Sequence, residues 1–218
     1  MLLEGIFLPL TTPFHPDGRL FLHKLALNVE HYSRTQAAGM LVLGGAGEPD
    51  ALNDDETRKV LAAAIAAAAN HKVLLAGVGR GSVRGTLELA EFAAKVGYDA
   101  VAVRAPEFYR QQFMQKAAMT YFATIADQSP LPVVVLGEHE RPVRMDVIGS
   151  LAQHPNIIGA IDGAASQERC ETLRRMAAGI SREATVTTIF AAVTRRMRGE
   201  TEAGVGWCPR RAWAVELL

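Results

Sequence analysis

Apolar residues along the chain fall into two spacings. Largely apolar runs at Ile6-Phe7-Leu8-Pro9-Leu10, Leu41-Val42-Leu43, Lys72-Val73-Leu74-Leu75-Ala76-Gly77, Asp99-Ala100-Val101-Ala102-Val103, Leu131-Pro132-Val133-Val134-Val135-Leu136 and Asn156-Ile157-Ile158-Gly159-Ala160-Ile161 predict strands one to six. Residues 184–189 and 203–207 are candidates for strands seven and eight. Between the runs, apolar residues recur every three to four positions. Leu22, Leu25, Val29 and Tyr32 predict a helix over residues 21–36, closed by Gly39. Further helices are predicted over residues 53–70, 86–96, 115–127, 146–153 and 167–179, with a short one over 191–198. Asn53 and Glu56 stand at capping-box spacing, which fixes the start of the second helix.

Strands that are apolar throughout, alternating with helices at about thirty residues per unit, describe a parallel sheet covered by helices. Counting eight units predicts a single (β/α)8 barrel domain over residues 1–218 rather than an open doubly wound sheet. The rival nucleotide-binding reading is weakened at Val78-Gly79-Arg80-Gly81, which lacks the third glycine of a GxGxxG turn.

Composition narrows the partners. Lys+Arg and Asp+Glu both number 23, so net charge points to neither nucleic acid nor an anionic membrane. No apolar run is long enough to span a membrane, and Met1-Leu2-Leu3-Glu4 lacks the basic start of a secretory signal. Cys170 and Cys208 match no metal or redox spacing and are expected as free thiols in a cytoplasmic protein. No cofactor is implied.

In a barrel the chemistry lies on the loops after the strands. Gly44-Gly45-Ala46-Gly47-Glu48 follows strand two, and its uncovered amides suit an anion such as a carboxylate; ordinary turn chemistry is the other reading of the same glycines. Glu48 is either part of that site or a solvated loop-end charge. Glu138-His139-Glu140 follows strand five, with Asp162 one strand away. These four either ligate a divalent metal that assists enolisation or form a solvated charge run. Arg104 and Glu107 flank Pro106 and are able to pair with each other. Met114 and Met119 are expected as packing residues. His71 and His154 precede strands three and six, on the stability face.

Thr11-Thr12-Pro13-Phe14, the glycine loop with Leu52 and Glu56, Ala76-Gly77-Val78-Gly79, Pro106-Glu107-Phe108-Tyr109 and Asn156-Ile157-Ile158-Gly159 occur in one order at one spacing. Together they resemble the dihydrodipicolinate synthase/N-acetylneuraminate lyase family of class I aldolases, over roughly residues 3–207. The resemblance implies a (β/α)8 barrel, usually followed by a helical bundle, a homo-oligomer and a pyruvate-type substrate. It also implies a Schiff-base lysine at the end of strand six, a proton-shuttling tyrosine at the end of strand five, and a carboxylate cradle in the glycine loop. The lysine position is Ile161 and the tyrosine position is Leu136. Gly137 stands for the asparagine after that tyrosine, and Gly45-Ala46 stands for the loop's two threonines. Tyr109 retains a family hydroxyl, and Arg141 aligns with a family arginine near the distal carboxylate of the substrate.

The other lysines do not substitute. Lys24, Lys59, Lys95 and Lys116 fall on predicted helices, and Lys72 starts strand three. Three readings follow: a family member that has lost Schiff-base chemistry but binds a small 2-oxo acid or other carboxylate through residues 44–48 and Arg141; an active lyase using relocated or metal-assisted chemistry; and a structural or regulatory subunit. The family's trailing helices are expected to be missing or truncated here. Uncovered apolar surface around Trp207 and Trp213 then predicts a homo-oligomer, dimer or tetramer.

Overall fold

Period-two alternation sorts the strand residues onto two faces, and the computed structural model, which describes residues 3–106, 115–138, 142–163, 168–169, 171–172 and 185–187, shows both. The strands are β1 (Phe7–Pro9), β2 (Gly39–Val42), β3 (Val73–Gly77), β4 (Ala100–Arg104), β5 (Val133–Gly137), β6 (Ile157–Asp162) and β7 (Thr185–Thr187). They form one parallel sheet in the order β1-β2-β3-β4-β5-β6-β7. Met40, Val42, Leu74, Ala76, Val101, Val103, Val133 and Val135 face the helices in one core. Phe7, Leu41, Leu75, Ala100, Ala102, Val134, Leu136 and Ile161 meet in a second core. This second cluster runs from β1 to β6 on the face away from the helices, the face that a curled sheet encloses. The fold is thus the predicted (β/α)8 barrel, seen through its first seven strands.

Helices α1 (Leu22–Ser33), α2 (Asp54–Ala67), α3 (Val83–Val96), α4 (Gln115–Gln128) and α5 (Met145–Leu151) fill the connections. The capping box at α2 is present: the Asn53 side chain accepts from Glu56 N at 2.9 Å, and Glu56 returns an acceptor to Asn53 N at 3.0 Å. Helix α3 starts three residues before the predicted 86, because Ser82 accepts from Gly85 N and caps it. The expected helix over residues 191–198 and strand over 203–207 lie outside the described residues. No described helix is long and apolar enough to cross a membrane.

At the N-terminal end of the barrel, Lys72 is buried, and its ammonium donates to Thr35 O at 2.8 Å and Ala37 O at 2.6 Å. His154 meets Asp127 at 2.9 Å on the same side. These groups fasten the end opposite to the site loops, as their positions before the strands predict.

Candidate functional site at the C-terminal mouth

The glycine loop is built from a reversal at its first residue. Leu43 takes a left-handed backbone (φ 58°) directly after β2, and Glu48 does so again (φ 49°). Two non-glycine residues in this region enclose a single 3-10 turn, Gly45–Gly47. Gly47 N donates to Gly44 O at 2.9 Å and Glu48 N to Gly45 O at 3.2 Å. The Gly45 and Ala46 amides open the turn and therefore have no acceptor within it. Thr12, buried after β1, donates its hydroxyl to Gly47 O at 2.6 Å and so fixes the loop from the neighbouring strand. Gly77 is required beneath it, since a Cβ there would collide with Leu43 O. The loop thus keeps two of the amide donors expected of a cradle. Glu48 contributes its backbone turn, and its side chain is exposed.

Around this loop, alternation carries two charged side chains inward. Arg104 follows Ala100 and Ala102 on β4, and Glu138, the residue after β5, follows Val134 and Leu136 in the same alternation. Arg104 pairs with Asp50 of the turn after the glycine loop, and its Nη1 lies 3.9 Å from Glu138 Oε1. Their side chains are 12% and 23% exposed. Glu138 Oε1 also lies 3.0 Å from the point a Cβ on Gly45 would occupy. Glu107, with which Arg104 was read as able to pair, lies outside the described residues; among the described ones Arg104 meets Asp50, 54 residues away in the chain. Asp50 escaped the sequence reading because that contact is long-range, although counting in twos along β4 and β5 would have aimed Arg104 and Glu138 at the mouth.

Below these charges the mouth is apolar. Leu136 and Ile161 are register partners across β5 and β6 and are 5% and 1% exposed. Asp162, the next residue, is fully buried, and Arg169 clasps it with Nε at 2.9 Å and Nη2 at 3.2 Å while donating to Val143 O at 2.8 Å. Gly163 N donates to Gly137 O at 2.6 Å and closes the same corner. Among the candidate metal ligands, Asp162 is thus engaged with an arginine, and Glu138 faces Gly45 and Arg104. Among the described residues no group of three or more His, Cys, Asp or Glu is disposed to hold a metal ion. Tyr109, His139, Glu140 and Arg141 lie outside the described residues.

A parallel barrel with its charged loops at the C-terminal ends and a Thr12-anchored glycine turn agrees with what the family comparison finds. The pattern of the Dihydrodipicolinate synthetase family matches residues 2–181. The chain belongs to that family. It is 33% identical over 179 residues to the 4-hydroxy-tetrahydrodipicolinate synthase of Xanthomonas campestris pv. campestris, covering 81% of this chain and 59% of that protein. With the L-threo-3-deoxy-hexylosonate aldolase of Hypocrea jecorina it shares 35% identity over 164 residues, 71% of this chain and 52% of that protein. Among solved structures, YagE of E. coli K12, a prophage protein of the dihydrodipicolinic acid synthase family in complex with pyruvate, superposes with a TM-score of 0.79 at 26% identity, covering 85% of this chain and 63% of that one. The chain spans between half and two thirds of the length of these relatives.

Proposed function

We propose that this aldolase-family chain binds a small 2-oxo acid or another small carboxylate at the C-terminal mouth of the barrel, and that it has lost Schiff-base chemistry. The observation that carries the reading is the pair Leu136 and Ile161. Both are apolar and buried at the ends of neighbouring strands, at the two positions to which the resemblance gives tyrosine and lysine. An alkyl side chain has no lone pair to attack a carbonyl and no proton to exchange, so neither nucleophilic catalysis nor proton shuttling operates there. What supports retained binding is that the Gly45 and Ala46 amides need no side chain to act as donors and that Thr12 still fixes their loop. The pyruvate in the YagE structure gives the ligand class to test first.

Borohydride reduction in the presence of pyruvate, read by mass spectrometry, tests the loss of chemistry. No mass increase is expected, and a pyruvate adduct overturns it. Calorimetry with small 2-oxo acids tests binding, and a repeat with added divalent cation tests the metal-assisted lyase. The Asp162–Arg169 clasp weighs against that second reading, because a ligand to a metal would have to give up two charge-assisted hydrogen bonds. A homo-oligomer, dimer or tetramer, is part of the same proposal, and a clean monomer by light scattering at micromolar concentration refutes it.

A further inference from the structure

Among the described residues, Arg104 is a cation that the interior register carries to the glycine loop, where two carboxylates meet it. Nη2 is held by Asp50, whereas Nη1 faces Glu138 Oε1 at 3.9 Å, an ion-pair distance beyond hydrogen-bond range. The carboxylate of Glu138 itself rests against Gly45, where a side chain on the loop would stand: a Cβ would lie 3.0 Å from Oε1 and 3.5 Å from Cδ. Glycine at 45 and glutamate at 138 are therefore a matched pair. The protein has set one of its own carboxylates between the glycine loop and an arginine.

We propose that Arg104 is the carboxylate-binding cation of the mouth and that Glu138 is a built-in competitor for it, displaced when a ligand carboxylate enters between Arg104 and Gly45. The proposal rests on the carboxylate-binding reading above and adds to it the residue that sets affinity. An arginine fork donates two parallel hydrogen bonds to a carboxylate, and the contact between Nη1 and Glu138, at 3.9 Å, is longer than such a bond. Ligand binding then requires the minority state in which Glu138 has turned away, so the apparent affinity falls by the fraction of that state. The side chain is long and partly exposed, which makes this turn local.

Glu138→Gln keeps the shape of the side chain and removes its charge. Calorimetry with pyruvate on the full chain is expected to give binding on the order of tenfold tighter in Glu138→Gln than in the parent. The gain is expected to vanish in Glu138→Gln/Arg104→Gln. Gly45→Ala, whose methyl group would stand against the place given to the ligand carboxylate, serves as a second variant and is expected to weaken pyruvate binding in the Glu138→Gln background; unchanged binding there would place the ligand away from Gly45. Urea midpoints measured alongside establish that each variant is folded. If the parent binds pyruvate and Glu138→Gln binds it no better, the competitor role is overturned and the binding reading stands. Should the gain persist in the double variant, Arg104 is not the cation. If neither the parent nor the single variants bind any small 2-oxo acid, both this proposal and the binding reading fall.

Discussion

Glycine carries opposite burdens at two positions of the same loop region. At Gly77 an added methyl group meets the Leu43 carbonyl, a backbone atom fixed by a left-handed turn. Gly77→Ala is expected to lower stability by about 3 kcal/mol or more in urea titration, since nothing nearby can yield without breaking the loop. At Gly45 the obstructing atom is the end of the Glu138 side chain, which can rotate. Gly45→Ala is expected to stay within about 0.5 kcal/mol of the parent. Ile161 gives a third case. Placing lysine there puts an ammonium into a cluster with Phe7, Leu41, Leu75 and Leu136. Ile161→Lys is expected to lose about 3 kcal/mol, the scale of an uncompensated buried charge, and a loss below about 1 kcal/mol would mean that water reaches the end of β6. At this scale the aliphatic character of positions 136 and 161, on which the proposed loss of Schiff-base chemistry rests, was legible without coordinates. The Arg104–Asp50–Glu138 grouping was not, because partners 54 residues apart have no local signature.

Elements were legible where one local rule governs them. The capping box at Asn53 and Glu56 was readable from spacing alone, and its geometry is complete. Asn53→Ala is expected to cost about 1 kcal/mol, measured as a shift in denaturation midpoint, by leaving the Glu56 amide without its acceptor. Boundaries moved where side chains compete with the periodic pattern. Pro132 has no amide to donate, so it serves β4 only through its carbonyl, which accepts from Val101 N at 2.9 Å, and the β5 ladder begins at Val133. Gly137, expected in the following loop, continues the strand because it pairs with Asp162 across β6. The Asp162–Arg169 clasp belongs to the same corner. Arg169 joins the end of β6 to Val143, just ahead of α5, and no periodicity in the sequence marks that link.

For the whole molecule, the curled parallel sheet followed from apolar strands alternating with helices, and the comparison with family members agrees with it. Two buried phenols are expected to set an alkaline limit to its stability. Tyr98 donates to Leu61 O at 2.9 Å and Tyr121 to Arg80 O at 3.0 Å. Burial pushes both hydroxyls above the ordinary tyrosine value of 10.0. Groups raised in the folded state titrate first in the unfolded chain, so their contribution is complete below about pH 10 and is lost as pH rises further. The urea midpoint is expected to hold steady up to about pH 9.5 and then fall. Tyr98→Phe should flatten part of that fall, and an unchanged alkaline slope in this variant would remove Tyr98 as a cause.

The contact between position 45 and Glu138 also constrains the order in which this mouth can be rebuilt. A threonine restored at 45 meets Glu138 in its present rotamer, and a tyrosine at 136 or a lysine at 161 has to share the space beneath both. Substitutions toward an aldolase-type site are therefore not interchangeable steps. Turning or shortening residue 138 makes room for a larger residue 45, and reactive groups at 136 and 161 then draw on the space beneath both.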